Sequence, residues 1–393
     1  MSQGRSIEHG LSDARQRRQQ RVVTIGTALA VGAATTVMWM TVTWAAAWQH
    51  GYEPSGTWAW AHWDSGWYRF IAQHGYYLER CNGVPNRGPS DYCGSAGWFP
   101  LYPFTLRALG FTGIGVNTLG RWVAVAAMTA TYAGLWQGFL RRHPLNKQIL
   151  ALVLAAAFPA GVYYGAMFPV SIVTASAIAC LYALQREKFL LAGLCAVLAA
   201  SAYPSGVLIP VAAALIPFAT RRLGTWPVRL RYSSLVAVPG VLTFALVMAN
   251  LRRTTGRWDA WFRIQEAYNY EATFPLKTIS NQLESIIDGI TPNAIGVQTG
   301  FVVILVVVSA VIARKHWKDL GLGERAVVPV AAALWLSPLT LGGELSLYRA
   351  ESLLLPVIIL LVRSRAGVLA ALVVAAVPLS YLMATLFFQN VLI

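Results

Sequence analysis

Long apolar runs alternate along the chain with short breaks rich in arginine. A membrane crossing needs about 20 apolar residues. By that measure the runs at 22–48, 115–140, 148–163, 168–184, 189–202, 206–219, 235–251, 299–313, 326–341, 353–362 and 367–388 predict eleven transmembrane helices. Several runs are short for a crossing, and Pro159, Pro169, Pro204, Pro210, Pro217 and Pro356 stand at or inside them. Neighbouring helices or a cavity satisfy the carbonyls that such prolines free. Two polar stretches are long, residues 49–113 and 252–298, and both are dense in Trp, Tyr and Phe. Loops beyond about 12 to 15 residues usually carry function when they are not disordered, and this aromatic content argues against disorder. Both are expected to fold as a cap on the membrane surface of one all-α domain, residues 1–393, behind a basic tail at 1–21.

Inside the first loop, Trp63, Trp67, Phe70 and Ile71 fall at i, i+4, i+7 and i+8, the apolar face of an amphipathic helix. Its tryptophans suit the membrane interface, and Gly75 is placed to end it. Asp64 falls in the first turn of that helix. It is either a helix-start acid, worth roughly 0.3 to 1 kcal/mol, or a catalytic group. In the second loop Trp258, Trp261, Phe262 and Gln265 repeat the helical spacing, followed by Tyr268, Tyr270 and Pro275. A second interfacial helix there leaves Asp259, Gln265 and Glu266 free for contacts to hydroxyls. Cys81 and Cys93 bracket the turn residues Gly83, Pro85, Gly88 and Pro89. Outside the cytoplasm a disulfide is the expected state, worth about 3 kcal/mol in the chain-entropy model. A metal site is the weaker reading, because no further Cys or His stands at ligand spacing. Cys180 and Cys195 lie in apolar runs and read as small buried hydrophobes.

Composition narrows the class. The chain is 56% hydrophobic and 12% charged, with mean hydropathy +0.52, whereas a soluble domain carries about a quarter charged residues. The net charge of +15 suggests nucleic acid until its distribution is seen. Twenty of the 31 basic residues and only 5 of the 16 acids fall in alternate loops, and the opposite set of loops is neutral. The positive-inside rule then puts the amino terminus in the cytoplasm, the carboxyl terminus outside, and both long loops on the outer face of the plasma membrane. No soluble domain is left to carry a nucleic-acid stripe. The run after Arg5, Arg15, Arg17, Arg18 and Arg21 is too long for a signal-peptide core and reads as a retained first span.

His62-Trp63-Asp64, Trp67-Tyr68, Ile71-Ala72 and His74-Gly75-Tyr76, followed by Trp98-Phe99-Pro100-Leu101-Tyr102-Pro103, resemble the first-loop signature of the PIG-V-like mannosyltransferases. That family includes the enzyme adding the second mannose to GPI anchors. The resemblance continues through Phe158-Pro159-Ala160, Leu191-Ala192-Gly193, Pro204-Ser205-Gly206 and the segment 256–265. It implies a GT-C fold, a polyprenyl-phosphate-mannose donor, a lipid-linked or glycolipid acceptor, and Asp64 in the place of the family's aspartate base. Two departures stand out. Where relatives carry a Tyr-Ser-Glu stretch this chain has Met167-Phe168-Pro169-Val170-Ser171, and where they carry Arg-Pro-x-Gly it has Tyr203-Pro204-Ser205-Gly206.

The chemistry asks for few parts. Displacing a polyprenyl phosphate from an anomeric carbon with inversion needs one base, cations for the departing phosphate and an aromatic floor for the sugar. Asp64 is the candidate base. His62, Trp63, Trp67, His74, Tyr102, Gln265 and Glu266 are the candidate acceptor and sugar contacts. Arg349, Arg69, Arg252 and Arg253 are the candidate phosphate ligands. Arg349 is also placed to be a snorkelling anchor. No Asp-x-Asp motif or cofactor signature is present, so turnover without metal or cofactor is expected. A flippase or transporter would place ionisable residues at mid-membrane; Glu344 and Glu351 fall only near a boundary. A lipid-gripping scaffold explains the tryptophans but not the acids gathered in the long loops. An arabinofuranosyl or glucosyl transferase is the alternative within sugar transfer.

Overall fold

The computed structural model describes residues 2–82, 88, 91–266, 272–287, 293–341 and 347–392. It is 78% helical. Among the described residues six helical segments are long and apolar enough to cross a membrane: Val23–Gln49, Val116–Arg142, Trp226–Thr255, Ala294–His316, Leu322–Thr340 and Ala366–Phe388. Their outward faces are apolar, with Leu29, Val37, Leu242, Leu246, Ile304, Val311 and Val374 all exposed. Water would penalise such surfaces and lipid does not, so the chain is a polytopic membrane protein.

The six lie in helices α1 (Ser2–Gln49), α4 (Val116–Gly138), α10 (Trp226–Thr255), α13 (Asn293–His316), α14 (Leu322–Thr340) and α17 (Ala366–Phe388). The other predicted spans are shorter helices. They are α5 (Leu145–Ala156), α6 (Val170–Gln185), α7 (Phe189–Ala202), the pair α8 (Leu208–Ala213) and α9 (Leu215–Ala219), and α16 (Ile358–Leu361). Prolines account for the interruptions. Pro169 caps α6, while Pro204 and Pro356 each open a single 3-10 turn where an α-helical hydrogen bond would need the missing N–H.

One buried core runs from α1 to α17, and its largest side chains are aromatic: Trp39, Trp60, Tyr68, Tyr102, Tyr163, Phe168 and Phe387 are all under 2% exposed. The loop contacts sort into two sets at opposite helix ends. In one set Tyr52 packs on Phe388 at 5.5 Å, the Met167 amide donates to the Trp60 carbonyl at 2.9 Å, and the Tyr164 hydroxyl bonds the Ser352 carbonyl. In the other, Gln185 accepts from the Gly323 amide at 3.0 Å, and Glu324 pairs with Arg363 at 2.7 Å.

The first loop folds as α2 (Ser65–His74), a two-stranded antiparallel ribbon of β1 (Leu78–Arg80) and β2 (Tyr92–Gly94), and α3 (Leu101–Leu109). The ribbon pairs Glu79 with Cys93, and Cys81 is joined to Cys93 by a disulfide with their Cα atoms 5.2 Å apart. Gly83, Pro85 and Pro89, between the cysteines, lie outside the described residues. Gly75 ends α2 at φ +92°, a conformation that favours glycine.

The predicted face of α2 is rotated. Its buried stripe is Ser65, Tyr68, Ile71 and Ala72. Trp63 precedes the helix, and Trp67 and Phe70 lie on its flank. The helix begins only at Ser65 because Trp63 adopts φ +42°. In the second loop the apolar face is likewise misplaced. The helix α11 (Ala260–Glu266) is seven residues long and buries Ala260 and Ile264, while Trp258 and Phe262 are exposed. Ile264 presses against Gly97 of the first loop, where a Cβ would stand 2.7 Å from its methyl, and this contact ties the two loops together. Tyr268 and Tyr270 lie outside the described residues, and Pro275 starts an unanticipated helix, α12 (Pro275–Ile287), packed on α13 and α14.

Candidate active site

Asp64 and Arg349, 285 positions apart, form an ion pair in which Nη1 of the arginine donates to Oδ2 of the aspartate. Each is delivered by its own local structure. At Trp63 the chain takes a left-handed conformation that bulky residues rarely adopt, costing about 1–3 kcal/mol. The Trp63 ring is held against Phe387 at 5.1 Å and His62 at 5.2 Å. Asp64 follows at the N-cap of α2, yet its carboxylate makes no capping hydrogen bond. The capping hydrogen bond is therefore unmade, and the carboxylate's ion-pair partner is Arg349.

Arg349 rides on α15 (Leu347–Ser352). Gln298 fastens that helix to α13 by donating to the Tyr348 carbonyl at 3.0 Å and to Glu351 Oε2 at 2.8 Å. The guanidinium lies over the Phe168 ring at 5.4 Å, within electrostatic reach of Tyr68, Tyr163 and Tyr203. Tyr163 stacks on Tyr348 with ring centroids 6.1 Å apart. The Arg349 and Asp64 side chains are 13% and 23% exposed. Arg349 Nε is buried and has no hydrogen-bond partner among the described residues. The cation thus holds the carboxylate with one N–H while another waits for an acceptor.

The remaining predicted residues are placed as follows. Trp67 stacks on Trp98 at 4.8 Å and 22°, joining the two first-loop motifs. His62 is a packed histidine, 9% exposed, with Nε2 3.0 Å from the Ala59 carbonyl and rings of Tyr52 and Phe387 edge-on to it. Burial holds its pKa below the usual value. His74 is exposed at the far end of α2, ten residues or about 15 Å along the helix from Asp64, and does not accompany it. Tyr102 is fully buried and its hydroxyl donates to the Gly120 carbonyl at 2.8 Å, a structural strap rather than a sugar contact. Arg69 covers Trp58 at 5.3 Å and Arg252 covers Trp258 at 5.1 Å, while Arg253 is exposed beside it. Gln265 reaches toward Gly97, Glu266 pairs with Arg263 at 3.0 Å, and Asp259 is held well below the usual carboxylate range by Arg257 and Arg263. Only Arg349 of the four arginines meets Asp64 among the described contacts.

Sequence reasoning missed the walls of the site: Tyr68, Tyr163, Phe168, Tyr203 and Tyr348. A signal was present in three of them: Tyr68 stands in the first-loop motif, and Phe168 and Tyr203 fall in the two stretches, 167–171 and 203–206, that lack the acid and the arginine of the PIG-V-like pattern. It also missed Arg121, which sits inside the predicted second span and within α4. Glu344 lies outside the described residues, and Glu351 is fully buried. Among the described residues no cluster of three His, Cys, Asp or Glu side chains is placed to hold a metal ion. No protein-family model and no curated protein matches the chain; the functional reading therefore rests on residues and geometry.

Proposed function

We propose that this chain is an inverting GT-C-type glycosyltransferase that moves mannose from polyprenyl-phosphate mannose to a hydroxyl of a lipid-linked or glycolipid acceptor on the outer membrane face. The observation that carries this reading is that the candidate phosphate cation, Arg349, donates to the candidate base, Asp64, and keeps an unpartnered Nε beside an aromatic wall. The acceptor oxygen attacks the anomeric carbon, the carbon–oxygen bond to phosphate breaks, and Asp64 takes the hydroxyl proton. Arg349 offers its free Nε edge to the phosphate as negative charge develops there. Desolvation by the surrounding tyrosines strengthens both interactions.

Eleven crossings with the amino terminus inside are supported by the two sets of end contacts. Tyr52, Asp64, Met167, Ser352 and Phe388 all belong to predicted outer ends, and Gln185, Gly323, Glu324 and Arg363 to predicted inner ends. An arabinofuranosyl or glucosyl donor is the second reading. It is favoured by the departures from the mannosyltransferase pattern in the stretches 167–171 and 203–206, whose Phe168 and Tyr203 lie beside Arg349. The test is to incubate purified protein with radiolabelled polyprenyl-phosphate mannose, glucose or arabinose and a membrane lipid extract. Label entering a glycolipid from one donor supports the reading and names the sugar. Label that stays on the donor but crosses the bilayer of reconstituted vesicles would replace it with a flippase.

A further inference from the structure

Arg121 is a buried cation with no carboxylate partner among the described residues. It is 7% exposed, lies in a helix long and apolar enough to cross a membrane, and pairs with no described carboxylate. Its one hydrogen bond is from Nη1 to the Gly56 carbonyl at 3.2 Å. Its guanidinium lies 4.7 Å from the Trp60 ring and 6.0 Å from the Trp44 ring. A cation so little exposed, with so little compensation, is costly. Two other buried polar atoms, Nε1 of Trp44 and, four residues before Arg121 on α4, Oδ1 of Asn117, have no partner among the described residues. Asn117 is 9% exposed and shares a face of α4 with Arg121.

Depth agrees between the two helices. Arg121 is five residues from the start of α4 and Trp44 five from the end of α1, each about 7.5 Å along the axis, and α1 packs against α4. The exposed Trp48 (61%) and Trp122 (58%) flank this level, as tryptophans do at the headgroup interface. We propose that Arg121, Trp44 and Asn117 bind the phosphate diester of a phospholipid whose headgroup carries a hydroxyl. The guanidinium and the indole N–H are donors suited to phosphate oxygens; the Asn117 oxygen is an acceptor suited to the hydroxyl. A purely structural Arg121, strapping Gly56 and Trp60 to α4, leaves the indole and the carboxamide unexplained. The site is independent of the transferase reading.

The test uses the delipidated full chain in detergent, titrated with short-chain phosphatidylglycerol, phosphatidylcholine or soluble glycerol phosphate while thermal unfolding is followed. Phosphatidylglycerol should bind more tightly than phosphatidylcholine. Arg121→Gln should weaken it about tenfold or more, since hydrogen bonds to charged groups are the stronger class. Trp44→Phe, which keeps a ring and deletes the N–H, should weaken it about fivefold. Asn117→Ala should erase the preference over phosphatidylcholine, and Arg141→Gln, which removes a remote charge, should change nothing. Comparable binding of glycerol phosphate supports the same chemistry with a soluble source. If Arg121→Gln does not fold, Trp44→Phe and Asn117→Ala decide. Equal phosphatidylglycerol affinity in wild type and in the variants that fold, or no preference over phosphatidylcholine in wild type, overturns the site.

Discussion

Asp64→Asn separates catalysis from architecture, because the two roles predict different magnitudes. The substitution keeps the shape of the side chain but removes its charge, leaving Arg349 largely buried with no counter-ion. Removing one member of a fully buried pair costs about 3–5 kcal/mol. Asp64 is 23% exposed and water reaches it, so a stability loss of about 1–3 kcal/mol is expected. Loss of a general base lowers turnover on the order of 10²- to 10⁴-fold, about 2.7 to 5.5 kcal/mol on the activation barrier. Neutralising the partner as well, in Asp64→Asn/Arg349→Gln, removes the stranded charge and should recover much of the stability. Turnover should stay lost. Transfer of label from polyprenyl-phosphate mannose and the midpoint of thermal unfolding are measured on the same preparations, with Glu79→Gln and Asp259→Asn as controls on the same surface. Near-normal turnover in Asp64→Asn, or a double variant that regains turnover together with stability, would refute the assignment of Asp64 as base.

Arg349→Ala and Arg349→Lys should both weaken donor binding if the contact uses the planar Nε edge; unchanged affinity in both makes Arg349 a strut for Asp64. Cys81→Ser should loosen the outer cap by up to about 3 kcal/mol and lower activity, and an unreduced digest of wild type should yield the Cys81–Cys93 linked peptide. His62 is buried neutral with a lowered pKa. As pH falls below about 6.5 the unfolded chain binds the proton first, so stability should decline with acidification and the decline should flatten in His62→Gln, read from melting at pH 7.5 to 5. Gly165→Ala would set a Cβ 2.0 Å from Trp39 Cη2 and should cost about 1–3 kcal/mol or more in a melting assay. Single cysteines at Gly88 and Arg257 should react with an impermeant reagent added outside the cell, and labelling only from the cytoplasm would invert the topology and displace the site with it.

Much of this protein is fixed by local chemistry. The lengths of the apolar runs set where helices form, because a bilayer leaves no other way to satisfy the backbone. Gly75 stops α2 because its φ of +92° suits glycine, and Cys81 and Cys93 are joined at the end of one antiparallel ribbon. Asp64 and Arg349 could be singled out as candidates separately, one from its motif and the other from its place at a span end. Their pairing was not, because nothing in periodicity encodes a contact across 285 positions. The buried face of α2 was hidden for a related reason. Spacing showed that an apolar face exists, but packing against neighbouring elements, as of Tyr68 on Tyr102 and Phe168, decided which residues it would be. In a membrane protein the difficulty is general, since lipid-facing and protein-facing sides are both apolar, and the pattern that predicts a helix does not say what the helix packs against. Only the tertiary structure turned Tyr68 inward, laid Phe168 under a cation and left Arg121 without an acid.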